Sequence, residues 1–185
     1  MDNRNINIWQ SVKRKIPGYA RVIQALLYVF VVLFAVIGAM MGAFWLIPAL
    51  GTLIGAWYYM GQARVTYRYQ LEGVIFRVAR ESGFLARPKK EDFLELDLRN
   101  LIAMGREDDP RLTGTEQVSA AASPKRIIYD VSEHNSKNPP MVLYATGIGR
   151  ENGRHLKVYL QPDEDMLRVF KRIGSEKVYW NEYKD

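Results

Sequence analysis

The longest hydrophobic stretch of the chain runs from Val22 to Ala63, and none of its 42 residues is Asp, Glu, Lys or Arg. A helix needs only about 20 residues to cross a hydrocarbon core of about 30 Å, so a single helix would be about twice too long. The run therefore predicts a transmembrane hairpin with helices at about 21–41 and 45–63. The chain reverses in the segment VIGAMMGAFWLIP, where glycines loosen the first helix and a proline suits the first turn of the second.

Two pairs of glycines with four-residue spacing lie in this run, Gly38 with Gly42 and Gly51 with Gly55. Small residues at this spacing let helix backbones approach closely in a membrane. If the chain reverses near residue 43, Gly51 lies level with Ala35, and we expect the glycines to pack the two helices of the hairpin together. Packing between two copies of the chain uses the same motif, so a homo-oligomer stays open.

After Arg64 the hydrophobic residues alternate with polar ones, which is the period-2 pattern of half-buried β-strands. The segment RVTYRYQL shows it most clearly, and Glu72-Gly73 then turns the chain into a partner strand. The apolar run at 101–104 is either a strand or a turn of helix. Further strand-like runs lie at 94–98, 126–131, 141–148 and 155–161. We predict six or seven antiparallel strands.

The last predicted element is an amphipathic helix at about 162–173. Pro162 suits its first position, acidic residues at 163–165 complement its dipole, and Gly174 follows as a stop signal. Its apolar stripe, which must be buried against the sheet, consists of Met166, Val169, Phe170 and Ile173. The predicted fold is a membrane-anchored α+β protein, in which the two-helix transmembrane hairpin precedes a mainly antiparallel β domain at 64–185 with this C-terminal helix.

Residues 1–20 form a basic segment before the hairpin. Apolar residues recur there at four-residue spacing, and basic residues lie between them. The apolar set is Ile8, Val12 and Ile16, and the basic set is Lys13, Arg14 and Lys15. This spacing is typical of an amphipathic helix on an anionic membrane surface. A short tail that only sets the membrane topology is the alternative.

The charges on either side of the hairpin predict its orientation. Residues 1–21 carry five basic residues and one acidic residue, residues 64–90 carry seven and two, and residues 91–185 carry 14 and 17. Basic flanks remain on the cytoplasmic side, so we expect a multi-pass membrane protein with cytoplasmic N- and C-termini. A nucleic-acid partner is not expected, because the folded domain lacks a basic stripe of its own.

The sequence contains no pattern that indicates a catalytic, cofactor or metal site. Cysteine is absent, which excludes disulfides and thiolate ligands. The two histidines, His134 and His155, lack metal-binding spacing and are interpreted as surface residues. The segment GIGRENG at 147–153 lacks the spacing of a dinucleotide-binding loop and joins two strands, so we interpret it as a β-turn. We therefore expect no enzyme activity, no cofactor and no metal.

A second group of basic residues follows the hairpin. Arg77 and Arg80 lie on the predicted hairpin of strands, and the loop after it carries further cations. Each basic residue near an anionic leaflet contributes about 1 kcal/mol of attraction. The candidates for lipid head-group contacts are Lys13, Arg14, Lys15, Arg87, Lys89 and Lys90. A solvated basic loop that needs no ligand is the alternative.

The order of elements resembles the pleckstrin-homology-like superfold, a bent seven-stranded sheet closed at one end by a C-terminal helix. The whole chain is similar to an uncharacterised family of small bacterial two-helix membrane proteins with a cytoplasmic domain of this kind. The similarity lies in YRYQLEGVIFRVAR after the second helix and in LKVYLQPDEDMLRVFKRIGSEKV near the end. The resemblance implies a fold and a location in the bacterial cell membrane, but no functional residues.

These observations favour a non-enzymatic protein-interaction module anchored in the lipid bilayer. Its sheet edge or helix groove would bind a protein partner in the membrane or the cytoplasm. The alternative is a protein that binds anionic lipid, or organises the membrane, through its basic juxtamembrane segments.

Overall fold

The computed structural model describes residues 6–82, 89–112, 114, 127–133 and 139–180. These residues form two compact units. The helical unit comprises the described parts of 15–66 and 81–90. The sheet unit comprises the described parts of 1–14, 67–80 and 91–185.

The helical unit contains the two apolar helices that the uncharged run predicts. Helix α1 spans Gly18–Met41 and helix α2 spans Leu46–Ala63, with a short 3-10 turn at Ala43–Trp45 between them. Helix α1 begins earlier than expected, directly after Pro17. Gly42 ends it with φ of 115°, a left-handed conformation that favours glycine, and its N–H donates to the Gly38 carbonyl at 3.1 Å. The reversal thus falls within the predicted segment.

Small residues occupy the buried positions of the two helices, but they are not all the predicted ones. A Cβ at Gly38 would lie 2.8 Å from a methyl carbon of Leu46, so Gly38 is packed against the start of α2. On α2 the buried residues are instead Ala49 and Ala56, two turns apart on one face, together with Gly61. The expectation that Gly42, Gly51 and Gly55 pack within the helix pair is wrong, because nothing lies within 4 Å of their Cβ positions.

Both helices are long and apolar enough to cross a membrane. In the most apolar 18-residue segment of each helix, the buried share is only 6% and 11%. A core helix of a soluble protein is mostly buried. Large side chains such as Val29, Leu33 and Ile54 are exposed instead. This exposure indicates that the helices associate with a membrane.

The described strands form one eight-stranded sheet in the order β1-β2-β3-β4-β6-β7-β5, with β8 beside β4. Pairing is antiparallel between β4 and β6 and between β6 and β7, whereas β5 and β8 run parallel to β7 and β4. The strands are β1 Asn7–Lys13, β2 Val65–Glu72, β3 Ile75–Ser82, β4 Lys89–Arg106, β5 Ile127–Asp130, β6 Met141–Gly147, β7 His155–Leu160 and β8 Val178–Tyr179. The predicted strands are present, but β5 pairs in parallel and not antiparallel as predicted, and β1 and β8 were not expected.

The prediction of an amphipathic helix in residues 1–20 is wrong, because Asn7–Lys13 is a strand at the edge of the sheet. Its burial alternates: Ile8 and Gln10 are half-buried and Val12 is buried, whereas Trp9 is exposed. Apolar residues four apart share one face of a strand as well as one face of a helix, so their spacing alone did not separate the two. The sheet therefore begins before the helix pair and continues after it.

Strand β4 contains both predicted segments, 94–98 and 101–104, in one continuous strand. Leu96 lies opposite Gly147 and Leu101 opposite Ala145, so β4 has three more residues than β6 between these pairs. Such an irregularity bends a strand. The irregularity precedes the rest of the ladder that β4 forms with β6.

The C-terminal helix, α3, spans Glu164–Ile173 and closes the core of the sheet unit. It begins two residues later than predicted, because Asp163 is its N-cap and accepts a hydrogen bond from the Met166 N–H at 2.9 Å. Phe170 is buried edge-on against Phe76 of β3, with ring centroids 5.3 Å apart. The apolar stripe of α3 thus packs on the sheet as predicted.

Candidate binding surfaces of the sheet unit

A groove of about 610 Å³ lies between the edge strand β1 and helix α3. Its apolar lining comes from Val12, Met141 and Leu167, each less than a tenth exposed. Pro139 and Trp180 also line it. The volume falls within the range of ligand-binding clefts, and an apolar lining with a few polar groups is typical of them.

The Gln10 side chain positions β1 next to the start of α3. Its Nε2 donates to the Gln161 carbonyl at 3.0 Å, and its Oε1 accepts from the Asp163 N–H at 2.9 Å. These two bonds join the edge strand to the segment between β7 and α3, which also lines the groove. The wall of the groove is therefore held by side-chain hydrogen bonds in addition to strand pairing.

Charged residues of both signs lie around the groove. Lys13 and Arg106 provide cations, and Glu133 and Asp163 provide carboxylates. The Asp163 carboxylate already caps α3. The Glu133 backbone is also engaged, since its N–H donates to the Gln161 side chain at 2.7 Å. The groove can therefore pair with both acidic and basic groups of a ligand while its apolar lining is covered.

The predicted lipid-contact residues before α1 differ in their surroundings. Lys13 is exposed at the end of β1, and Lys15 is exposed two residues later. Arg14 is half-buried, and its Nη1 lies 3.4 Å from the Tyr67 hydroxyl in a long hydrogen bond. Lys13 and Lys15 therefore remain accessible to an anionic surface, whereas Arg14 also packs against the sheet.

The predicted lipid-contact residues after α2 are only partly described. Arg87 lies outside the described residues. Lys89 is exposed at the start of β4, and the Lys90 Nζ lies 3.6 Å from a Glu81 carboxylate oxygen in an ion pair. An ion pair of this kind at the surface is worth at most about 1 kcal/mol, so Lys90 stays able to exchange its partner.

Other titratable residues take part in interactions within the sheet unit. Glu107 accepts from the Tyr159 hydroxyl at 2.8 Å and lies 3.8 Å from the buried Lys157. His155 is half-buried on β7, so it is not the exposed residue that the sequence suggested, and His134 lies outside the described residues. Among the residues that the structure describes, no three His, Asp or Glu side chains are placed to hold a metal ion.

Two perturbed groups belong to the framework of the sheet. A hydrogen bond from the Arg99 side chain lowers the pKa of Asp97, and the Arg99 backbone N–H also donates to it. Burial raises the pKa of Tyr69, whose hydroxyl donates to the Val131 carbonyl at 2.7 Å. Both groups are fixed by neighbours of their own unit and lie outside the groove, so they indicate structural roles.

In the turn between β6 and β7 two backbone segments approach each other closely, which explains its glycines without a phosphate-binding role. It contains a 3-10 turn at Gly149–Glu151, and Gly149 and Gly153 have positive φ. A Cβ at Gly147 would overlap the Glu151 carbonyl oxygen. The glycines of GIGRENG are therefore required by the turn itself, in agreement with the sequence-based interpretation.

Sequence reasoning missed the residues that form the groove. The sequence places Gln10 in a helix or a tail, although Ile6, Ile8, Gln10 and Val12 follow a period of two that is compatible with a strand. The groove also combines positions from opposite ends of the chain, such as Gln10 and Leu167. No local pattern indicates that pairing.

The family comparison agrees with this architecture. Residues 7–180 match the family described as the bacterial PH-like domain, DUF6106, and the match begins at β1 and includes the helix pair. No curated protein and no solved structure matches the chain. The match covers nearly every described element, including the sheet and its C-terminal helix. The chain therefore belongs to the bacterial PH-like domain family DUF6106.

Proposed function

We propose that this protein is a non-enzymatic interaction module anchored in the bacterial cell membrane, and that its groove binds an extended segment of a partner protein. In this proposal α1 and α2 cross the bilayer as a hairpin, and both termini are cytoplasmic. The groove between β1 and α3 is the observation that carries the proposal.

The membrane part of the proposal is supported by the apolar surface and by the flanking charges. The exposed side chains of α1 and α2 match a lipid environment. The chain contains no acidic residue between Asp2 and Glu72, while both flanks of the helix pair are basic. Basic flanks on the same side of two crossings favour a cytoplasmic location for both.

The interaction part is supported by the position of the groove at a sheet edge. Strand β1 ends the strand order, so its outer edge has no neighbouring strand among those described. An extended peptide can pair with such an edge while its side chains enter an adjacent cleft. The apolar residues Val12, Met141 and Leu167 offer that cleft, and Lys13 and Arg106 can pair with acidic side chains of the peptide.

Photo-crosslinking in living cells tests the proposal with a matched pair of arginines. Arg106 lines the groove, and Arg154 lies at the turn between β6 and β7. Both are exposed, and each lies near a carboxylate of the same loop, at 3.9 Å from Asp108 and 3.0 Å from Glu151. A photoreactive residue at 106 should capture a defined partner segment, while one at 154 should not.

The captured segment then has to bind the purified protein. A synthetic peptide of that sequence should compete with the crosslink at 106 and slow amide exchange along β1. Equal capture at both positions, or a peptide that leaves β1 unprotected, would contradict the proposal. Capture of a small metabolite in place of a protein segment would also contradict it.

Single cysteines test the orientation, because the natural chain has none. Cysteines at the exposed positions Asn7 and Asn152 should resist membrane-impermeant thiol reagents in intact cells and react after lysis. Labelling of either residue from outside would contradict the cytoplasmic location.

A further inference from the structure

The outward face of β1 carries an exposed aromatic residue and exposed cations next to the first apolar helix. Trp9 is 68% exposed, and Ser11 and Lys13 follow it on the same face of the strand. Lys15 is exposed just beyond the strand. Tryptophan is enriched at the membrane–water interface, where its ring reaches the head-group region, and lysine is attracted to anionic lipid.

Chain connectivity keeps this face close to the membrane that the helix pair enters. Only residues 14–17 separate β1 from Gly18, the first residue of α1. Five Cα steps extend at most about 18 Å, so Lys13 cannot leave the neighbourhood of the membrane surface. Attraction between charges extends over about 8–10 Å at physiological salt, and the short linker allows Lys13 and Lys15 to approach the membrane surface within this distance.

We propose that the outward face of β1, formed by Trp9, Ser11 and Lys13, docks on the anionic phospholipid surface of the bilayer that the helix pair spans, and that Lys15 in the linker to α1 adds to the attraction. The proposal rests on the proposed crossing of the bilayer by α1 and α2, but not on the groove. It replaces the predicted amphipathic helix by a strand, and it adds Trp9 to the contact. Its occupant is the lipid surface, because the face combines cations with an interfacial aromatic residue. Residues 3–71 contain no carboxylate, and of the two acidic residues that line the groove with Lys13, Asp163 already caps α3 and Glu133 is the other.

As a consequence of docking, the contact between the edge strand β1 and the membrane depends on the charge of the lipids. Loss of anionic lipid would release Trp9 and Lys13, whereas α1 and α2 would remain inserted. Lys13 also lines the groove, so the lipid composition would change the charge at one end of that groove. Docking therefore connects the lipid surface to the site that we propose for a peptide.

Fluorescence quenching in nanodiscs tests the proposal on the full-length chain. An environment-sensitive fluorophore is attached to Ser11→Cys on the proposed face, and a control fluorophore to Asn152→Cys at the turn between β6 and β7. Both positions are exposed. Nanodiscs are prepared from phosphatidylcholine with or without phosphatidylglycerol, and each contains a trace of phospholipid with a nitroxide on its head group.

We expect the label at Ser11 to be quenched more strongly in the anionic discs, and the label at Asn152 to be insensitive to lipid charge. Lys13→Gln and Lys15→Gln together remove the attraction of two basic residues to anionic lipid. The ratio of docked to undocked protein should therefore fall on the order of thirtyfold. Trp9→Ala should weaken quenching in both kinds of disc. Each variant is compared with its parent by far-UV circular dichroism to exclude unfolding.

Quenching at Ser11 that is the same in neutral and anionic discs, or absent from both, would overturn the proposal. Ser11 also lines the groove, so the lipid measurement is made without any peptide. If lipid then fails to quench the label at Ser11 while an added protein shields it from a water-soluble quencher, docking on lipid is overturned and the shielding is assigned to the groove. A third label at Leu50→Cys, on an exposed residue of α2, distinguishes a failure of docking from a failure of the membrane crossing. If a nitroxide on the acyl chain quenches Leu50 while Ser11 is unaffected, only docking fails; if Leu50 is not quenched, the crossing itself fails.

Discussion

Gln10→Ala should destabilise the sheet unit, although sequence reasoning places Gln10 in a peripheral helix or tail. The substitution removes the hydrogen bonds from Nε2 to the Gln161 carbonyl and from the Asp163 N–H to Oε1. Each contributes about 1 kcal/mol net, because folding exchanges bonds to water for bonds within the protein. We therefore expect the free energy of unfolding to fall by about 2 kcal/mol.

This loss should be measurable as a shift of the melting temperature. The sheet unit has about 120 residues, and an unfolding entropy of about 2.1 cal/mol/K per residue converts 2 kcal/mol into about 8 °C. Calorimetry of the full-length protein in nanodiscs measures it without removing the helix pair. The control is Asn7→Ala, which alters an exposed residue of the same strand and should change stability by less than about 0.5 kcal/mol.

A melting temperature of Gln10→Ala equal to that of the parent would refute the reasoning. It would mean that the side-chain hydrogen bonds of Gln10 do not stabilise the sheet unit, as expected if this segment is a tail. A decrease for Gln10→Ala alone would confirm that β1 is a structural strand, and it would show that the wall of the groove depends on this side chain.

Two further predictions concern the bend in β4 and the contact between the helices. Since Arg99 lowers the pKa of Asp97 in the folded state, this carboxylate stabilises the fold above the usual carboxyl pKa of about 4, and that stability is lost as the pH falls through the lowered value. Asp97→Asn should therefore reduce the decrease in melting temperature between neutral pH and about pH 3. Gly38→Leu should overlap Leu46 and cost about 1–3 kcal/mol, measured by thermal loss of helical circular dichroism, whereas Gly55→Leu should leave the helix pair intact because its Cβ position is open. A change of oligomeric state in Gly55→Leu alone would indicate contacts between copies, while equal destabilisation by both glycine variants would contradict the observed packing.

The elements that could be predicted are those whose pattern is local. The absence of charge over residues 22–63 is enough to predict two apolar helices, and the alternation in RVTYRYQL is enough to predict β2. Helix α3 was recognisable because its apolar stripe and its acidic first turn agree with each other. In each case burial and sequence period indicate the same element, so little depends on distant residues.

The parts that could not be predicted depend on residues that are distant in the sequence. The apolar residues of β1 have the four-residue spacing of a helix. Only the pairing of β1 with β2, which follows the helix pair in the sequence, distinguishes a strand from a helix here. The packing face of α2 is equally non-local. Gly51 and Gly55 carry the motif, but the buried residues of α2 are Ala49, Ala56 and Gly61.

The helix pair lies between β1 and β2 along the chain, and this order determines how the sheet unit has to be isolated. Strands β1 and β2 are neighbours in the sheet, so α1 and α2 take the place of the loop between two adjacent strands. A fragment that begins at residue 64 keeps β2 but leaves its edge unpaired, and an unpaired edge promotes association between chains. Such a fragment also lacks Gln10, Trp9 and Lys13, so its failure to bind a peptide or a vesicle would say nothing about either proposed surface. A chain in which a short loop replaces residues 15–64 retains all three residues, and it is the soluble form in which the groove can be examined apart from the membrane.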